Sequence, residues 1–261
     1  MLRGLARGAR GIFRRWVIGP ADEATSRFRA RDEAAERPPL IQFWDEAPPA
    51  DVLKLMSTWK YGPGARWFSY DCFDDGAARE FIRENYDSRT LGAYLQCAVP
   101  AMKSDFFRYC YLHARGGVWV DADVGCVRSL YPLFSALERG LLCVRPAQMP
   151  GRIRLVNWLL VVKKPGDRLF ERIIADCIRN IEERSSNNIH VVTGGGVSTS
   201  LYHSQDAHER ALFDGFRIVQ ASDLTSYVSL VDDLAYKTTS RHWTIVQKER
   251  SIFSDDVAGD A

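Results

Sequence analysis

The stretch SDFFRYCYLHARGGVWVDADVGCV, residues 104–127, decides the fold of this protein. Residues 104–115 are predicted to form a helix, for which Ser104 is a suitable N-cap. Gly116 is a suitable stop for this helix, because glycine is common just beyond a helix C-terminus. A Gly-Gly turn then leads into the short apolar strand 118–120. The sequence therefore predicts a helix, a tight turn and a buried strand in close succession.

The lengths of these two elements bring four charged side chains together. The predicted helix runs about 15 Å in one direction, at about 1.5 Å per residue. The strand through Asp121 runs back about 13 Å, at about 3.3 Å per residue. Its end should therefore lie beside the start of the helix, at one edge of the sheet. Asp105 and Arg108, three residues apart on one helix face, should then face the same pocket as Asp121 and Asp123.

Asp121 and Asp123 form a D-x-D motif directly after the apolar strand. Alternate residues of an extended backbone point to the same side, so the two carboxylates should be neighbours. Two close carboxylates repel each other unless a cation lies between them. Hard oxygen ligands suit Mg²⁺ or Mn²⁺, which in proteins often hold substrate phosphates as well. The alternative is a surface turn whose two acids are simply solvated.

The rest of the chain predicts an α/β domain with a mainly parallel central sheet. Strand-like and helix-like segments alternate, which is typical of this class. The predicted strands are 40–44, 65–71, 140–146 and 155–164, and the clearest predicted helices are 50–60, 75–86 and 166–184. The folded domain is expected to span residues 40–250. An N-terminal arm and linker, 1–39, would precede it, and a tail, 251–261, would follow.

Composition and charge exclude several classes of protein. The 261 residues are 46% hydrophobic and 11% aromatic, enough for a sizeable core. The net charge is +2, but five arginines and no acid lie within residues 1–20. The remaining residues have a small excess of acids, which argues against a nucleic-acid-binding protein. The six cysteines and five histidines show no zinc-binding spacing, so the cysteines are predicted to be buried thiols in a reducing compartment.

The N-terminal segment 1–18 has the pattern of a basic amphipathic helix. Such a helix suits an anionic membrane surface. The alternatives are a basic leader without structure and a helix packed on the domain. No apolar run approaches the length of a transmembrane helix, and the segment lacks the apolar core of a secretory signal. We therefore expect a cytoplasmic protein at the inner membrane surface.

Residues 103–127 resemble the core of the DXD-containing sugar transferases of glycosyltransferase family 32. The yeast Golgi mannosyltransferases belong to that family, and the glucosyltransferase domains of large clostridial toxins are related to it. The matching positions are Ser104, Asp105, Arg108, Tyr109, Leu112, Gly116, Gly117, Trp119, Asp121 and Asp123. Weaker similarity extends to Phe43-Trp44, to the segment 191–199, where Gly195 replaces a usual proline, and to His242-Trp243.

The resemblance implies a GT-A-like, Rossmann-type single domain, a divalent cation (Mn²⁺ or Mg²⁺), a UDP- or GDP-hexose donor and retention at the anomeric carbon. It implies that Asp123 binds the cation and that Asp121 binds it through water or holds the donor. Asp105 would bond sugar hydroxyls, and Arg108 would lie beside the diphosphate. Phe43 and Trp44 would lie near the nucleotide, with Trp44 stacked on the base. His242 is a candidate third metal ligand, although a structural role is equally compatible with the sequence.

Two other functions stay open at this point. A haloacid-dehalogenase-like phosphatase also has D-x-D after an apolar strand, with Asp121 as nucleophile. Its first motif normally lies on the first strand, however, whereas here about 80 residues of α/β structure precede it. The third possibility is a non-catalytic module that binds nucleotide-sugars. The expected acceptor of a transferase is a glycan or a glycolipid, in polysaccharide or glycolipid synthesis.

Overall fold

A six-stranded mixed sheet forms the centre of the computed structural model, which describes residues 37–148, 152–239 and 242–254. The strands of this sheet, in spatial order, are β2 (Ser69–Phe73), β1 (Pro39–Phe43), β3 (Gly117–Val120), β6 (Ile153–Val162), β5 (Gly140–Pro146) and β7 (Phe216–Gln220). Strand β1 pairs in parallel with both β2 and β3, and β5 pairs in parallel with β7. Strand β3 pairs with β6 in the antiparallel direction. Only β6 runs against the other five, which confirms the α/β class with a mainly parallel sheet.

Helices cover the sheet, and β4 (Val124–Cys126) and β8 (Val228–Leu230) form a separate two-stranded sheet that packs on it. The helices are α1 (Ala50–Lys60), α2 (Asp75–Asn85), α3 (Ser88–Leu95), α4 (Pro100–Arg115), α5 (Tyr131–Ser135), α6 (Arg168–Glu182), α7 (Ile189–Val192), α8 (Gly195–Tyr202), α9 (Ala207–Ala211) and α10 (Trp243–Glu249). Within the described ranges there are also three 3₁₀ turns, at Ala65–Trp67, Ala221–Leu224 and Ala235–Thr238. None of the helices in the described ranges is long and apolar enough to span a bilayer.

Strand β3 is buried on both faces, as its apolar sequence predicts. Trp119 belongs to the larger apolar cluster, with helices α4 and α6, whereas Val118 and Val120 belong to the cluster on the opposite face. The alternation follows from the two-residue period of a strand. A central strand without a polar face fixes the position of the residue that follows it, Asp121.

Helix α4 begins at Pro100 rather than at Ser104, so the predicted N-cap is wrong. Val99 is the residue before the helix, and Pro100 occupies the first turn, where the missing N–H costs nothing. Ser104 therefore lies inside the helix. The predicted stop at Gly116 is confirmed, with φ of 70°. Gly117 has φ of 103°, and a Cβ there would approach the Pro39 carbonyl to 2.5 Å. The Gly-Gly turn thus permits both the left-handed backbone and the close packing of β3 against β1.

The boundaries of the folded body differ from the predicted ones. Residues 65–71 were predicted to be one strand, but they form the 3₁₀ turn Ala65–Trp67 and then the start of β2. At the C-terminus, Ile252 and Phe253 are buried, and Phe253 pairs with Cys97. The body therefore extends past the predicted boundary at 250. The cysteines are free thiols, and all but Cys72 are buried.

Of the predicted arm and linker 1–39, residues 1–36 lie outside the described residues, and with them the segment 1–18 that was predicted to contact a membrane. Within the described part, β1 and β3 run in the same direction and end side by side, at Phe43 and Val120. The residues that follow these strands therefore meet at one edge of the sheet. The start of α4 lies at the same edge, because the helix runs antiparallel to the strand that follows it.

Candidate active site

A pocket of about 670 Å³ opens at the carboxyl ends of β1 and β3. This volume is within the usual range for small-molecule sites. All of the predicted site residues line it, namely Phe43, Trp44, Asp105, Arg108, Asp121, Asp123 and His242. The pocket therefore brings together residues from the first strand, the helix–strand core and the C-terminal segment.

Arg108 holds two of the predicted carboxylates on the pocket floor. Its Nη2 lies 2.9 Å from Oδ1 of Asp105, and its Nη1 lies 3.0 Å from Oδ1 of Asp121. The guanidinium also lies over the indole of Trp119, 4.8 Å from the ring centroid. Only 4% of the Arg108 side chain is exposed, so these charges interact with little screening by water. The two carboxylates raise the pKa of Arg108 against the opposing effect of burial.

Asn157 on β6 completes this cluster and was missed by the sequence analysis. Its Nδ2 donates to Oδ1 of Asp105 at 2.8 Å and to the hydroxyl of Tyr109 at 3.1 Å. Its backbone carbonyl accepts from Nη1 of Arg108 at 2.6 Å. One residue thus positions both Asp105 and Arg108. A signal was present in the sequence, because Asn157 is a polar residue within the apolar segment LVNWLLVV.

The surroundings of Asp121 hold the carboxylate and at the same time disfavour its charge. Oδ1 accepts a hydrogen bond from Nε1 of Trp119 at 2.9 Å as well as the Arg108 contact. Burial raises the pKa of Asp121 to about 6, with a further contribution from the charge of Asp123, although Arg108 opposes the shift. Burial also raises the pKa of Asp105, again against Arg108. The floor of the pocket is therefore a place where added positive charge is stabilised.

Asp123 has a different set of partners, from the 3₁₀ turn Ala235–Thr238. Its Oδ2 accepts a hydrogen bond from the Tyr236 hydroxyl at 2.9 Å and lies 2.8 Å from Nζ of Lys237. The predicted extended geometry of the motif is wrong, because the Val124 N–H donates to the Asp121 carbonyl and closes a turn over these residues. The two carboxylates nevertheless line the same pocket.

The two aromatic residues at the end of β1 have different environments. Phe43 is buried and packs on Phe107, with ring centroids 6.0 Å apart, so it mainly supports the pocket floor. Trp44 is half-buried and contacts the ring of Tyr236 edge-on, with centroids 5.2 Å apart. Of these two residues, Trp44 has the more accessible ring for a planar ligand.

His242 lines the pocket beside Tyr236, with ring centroids 6.0 Å apart, and its Nδ1 is 2.6 Å from the hydroxyl of Thr244. Burial and the charge of Lys237 lower the pKa of His242, and Asp123 opposes them. The side chains in the described ranges form no ready-made cluster of three metal ligands. Asp121 and Asp123 still offer carboxylate oxygens to a shared pocket, and this donor type fits Mg²⁺ or Mn²⁺.

Residues 48–139 match the family described as a glycosyltransferase sugar-binding region containing a DXD motif. A mimivirus protein named an uncharacterized glycosyltransferase (Acanthamoeba polyphaga mimivirus) is 32% identical over 63 residues, 24% of this chain and 25% of that protein. The mannosyl phosphorylinositol ceramide synthase SUR1 of Saccharomyces cerevisiae is 37% identical over 68 residues, 26% of this chain and 18% of that protein. The initiation-specific α-1,6-mannosyltransferase of Schizosaccharomyces pombe is 25% identical over 84 residues, 31% and 21% of the two chains.

These matches span a quarter or less of each curated relative. Among solved structures, the PaToxG glycosyltransferase aligns over 84% of this chain and 89% of its own, with 13% identity and a TM-score of 0.49. The family match includes Asp105, Arg108, Asp121 and Asp123. It agrees with the resemblance seen in the sequence: residues 48–139 are similar to the DXD sugar-binding region of glycosyltransferases.

Proposed function

We propose that the protein is a divalent-cation-dependent hexosyltransferase with a nucleotide-sugar donor. The observation that carries this proposal is the Arg108 cluster, in which one buried guanidinium joins Asp105 to the first acid of the DXD motif. The cluster lies in a pocket large enough for a nucleotide-sugar. Since Asp121 was the supposed nucleophile of a phosphatase, its ion pair and the family match favour the transferase over that alternative.

The charge of the pocket argues for an added cation. Among the described residues that line it, six carry carboxylates and three carry cationic groups, namely Asp45, Glu46, Asp105, Asp121, Asp123 and Asp232 against Arg108, Lys237 and Arg250. A donor diphosphate would add further negative charge to this surplus. A divalent ion held by Asp121 and Asp123 would neutralise the diphosphate and stabilise it as a leaving group.

The residues of the chain have separate tasks in this proposal. Arg108 stabilises negative charge on the departing diphosphate, because a fixed, dry guanidinium needs no reorganisation as the charge develops. Asp105 accepts hydrogen bonds from hydroxyls of the sugar and opposes positive charge on its ring. Trp44 provides an apolar face for the base. Transfer would occur with retention at the anomeric carbon. The acceptor would attack the sugar on the same face from which the diphosphate departs.

The donor and acceptor follow from the relatives and stay within this proposal. The names of two matched relatives specify mannosyl transfer, and one specifies a phosphorylinositol ceramide product. We infer a hexose donor carried on UDP or GDP, with mannose the first sugar to test. The acceptor would be a glycan or a glycolipid.

Donor hydrolysis tests the proposal. The protein is incubated with UDP- and GDP-hexoses, with Mn²⁺ or with EDTA, and the released nucleoside diphosphate is measured. We expect release with one donor, and loss of at least 100-fold of that rate with EDTA or in Asp123→Ala. Asp233→Ala is the matched control, because Asp233 is an exposed acid outside the pocket. Its rate should equal the wild-type rate.

Two results would contradict the transferase. Metal-dependent cleavage of a simple phosphate ester that is abolished by Asp121→Asn would identify a phosphatase. Tight binding of a nucleotide-sugar without release or transfer, in the presence of the candidate glycan and glycolipid acceptors, would identify a binding module. The anomeric configuration of the product, followed by NMR, tests retention separately.

A further inference from the structure

Lys237 occupies the place beside Asp123 where the cation of a DXD motif is expected. Its Nζ lies 2.8 Å from Oδ2 of Asp123 and donates to the Val231 carbonyl at 2.6 Å. Both charged side chains are only 19% exposed, so this is a largely buried ion pair. The ammonium therefore supplies the positive charge that Asp123 needs when no metal is bound.

The surrounding structure holds this ammonium in place. The preceding residue, Tyr236, donates its hydroxyl to the same Oδ2 and packs its ring against Trp44. Leu234 is buried in a small apolar cluster with Val52, and the Ala235 N–H donates to Asp51 at 3.3 Å. The turn Ala235–Thr238 is thus anchored on α1 and on the end of β1. It directs two donors at one carboxylate oxygen.

A metal ion on Asp123 changes the charge next to Lys237. A divalent cation and an ammonium at adjacent positions repel each other, and both would compete for one carboxylate. The ammonium must then find another anion within reach of its flexible four-carbon stem. If the proposed function holds, the diphosphate of the donor is the anion that the metal brings into the pocket. Lysine is a common ligand of phosphate groups.

We propose that Lys237 is a diphosphate-binding residue that leaves Asp123 when metal and donor bind. In this scheme the ammonium has two successive partners, the carboxylate of Asp123 and then the diphosphate. The inference rests on the proposed function and adds a residue that the sequence motif does not contain. It also explains why a C-terminal segment 113 residues away packs on the DXD motif.

The proposal predicts opposite changes in two affinities when Lys237 is replaced by glutamine. Lys237→Gln removes a competitor of the metal, so Mn²⁺ without donor should bind several-fold more tightly. The same change removes a charged hydrogen bond to the diphosphate, so UDP or GDP in saturating Mn²⁺ should bind about tenfold more weakly. Both affinities can be measured by titration calorimetry on the full chain. A purely structural role would move the two affinities in the same direction.

Two further variants complete the experiment. Lys237→Arg keeps the charge and should retain most of the affinity for the nucleoside diphosphate. Lys248→Gln is the matched control, because Lys248 is exposed on α10 and outside the pocket, and it should change neither affinity. Thermal unfolding of each variant verifies that it is folded.

The outcomes separate this inference from the function on which it rests. If the wild-type protein binds neither UDP nor GDP in the presence of Mn²⁺, the proposed function fails and this inference fails with it. If the wild-type protein binds one of them and Lys237→Gln binds it equally well, only the role of Lys237 is overturned. Weaker binding of both Mn²⁺ and the nucleotide in Lys237→Gln would also overturn it.

Discussion

The two acids of the DXD motif are two residues apart, yet different regions of the protein hold them. Asp121 belongs to the Arg108 cluster, which is built on α4, β3 and β6 and is supported by Asn157. Asp123 is held by Tyr236 and Lys237, from an irregular turn near the C-terminus. Regular elements with a buried guanidinium make a rigid floor. A single turn with a flexible lysine makes a wall whose contacts can exchange.

Arg108→Ala should have the largest effect, because it leaves Asp105 and Asp121 without their shared cation. Breaking a buried ion pair by removing one partner typically costs about 3–5 kcal/mol. We expect the free energy of unfolding to fall by about that amount in urea titrations. Arg89→Ala is the control, since Arg89 pairs with Glu182 at the surface with 63% of its side chain exposed, and it should leave the free energy of unfolding nearly unchanged. Equal losses would contradict a rigid floor.

Asn157→Ala should come next, because it removes a donor to a buried carboxylate. An unsatisfied buried group costs about 1–3 kcal/mol, and we expect a loss of stability in that range. The rate of donor hydrolysis should also fall, since Asp105 would lose its fixed position. Asn85→Ala is a matched control, as its amide bonds the Phe81 carbonyl near the surface and far from the pocket. A normal rate in Asn157→Ala would show that Arg108 and Thr193 position Asp105 without Asn157.

The same contrast explains what the sequence could and could not predict. The charged residues of the Arg108 cluster lie within 18 residues of sequence, Ser104–Asp121, so element lengths alone were sufficient to bring these charges together, whereas Asn157 lies outside this stretch. The start of α4 was misplaced because a serine that resembles an N-cap lies one turn inside a helix opened by Pro100. This error did not affect the site, since it left the helix face unchanged.

The wall formed by Tyr236 and Lys237 could not be predicted in this way. The segment AYKT has no periodic pattern, and its contact with Asp123 bridges 113 residues. Only the folded sheet brings the C-terminal segment to the edge where β1 and β3 end. Strand β7 was missed for a similar reason, because five residues with two polar side chains form a strand only through pairing with β5.

Asp121→Asn should reveal that the motif costs stability. The folded pKa of Asp121, about 6, lies above its unfolded value of 3.8, so the folded state binds the proton more tightly. The contribution of Asp121 to the free energy of unfolding is therefore fully present below about pH 4 and is lost as the pH rises to about 6. Asparagine does not titrate, so the free energy of unfolding of Asp121→Asn, relative to that of the wild type, should rise by about 1–2 kcal/mol between pH 4 and pH 6. This value is reduced from the full effect of the pKa shift because 30% of the Asp121 side chain is exposed.

Urea titrations of both proteins in EDTA at pH 4, 5, 6 and 8 would measure this difference, since groups that do not interact with Asp121 titrate alike in the two proteins. Asp233→Asn, at an exposed acid outside the pocket, is the matched control. A constant difference between Asp121→Asn and the wild type across this range would mean that Arg108 fully compensates the burial of Asp121.

Two tyrosine-to-phenylalanine changes give the smallest effects and compare the regions directly. Tyr109→Phe removes the hydroxyl that contacts Asn157 from a fully buried side chain, and should cost about 1–2 kcal/mol of the free energy of unfolding. Tyr236→Phe removes a hydroxyl from Asp123 but keeps the ring on Trp44, and Lys237 still neutralises the acid. Tyr236→Phe should therefore lower the free energy of unfolding by only about 0.5 kcal/mol. A larger loss for Tyr236→Phe than for Tyr109→Phe would mean that the C-terminal turn, rather than the Arg108 cluster, is the rigid side of the pocket.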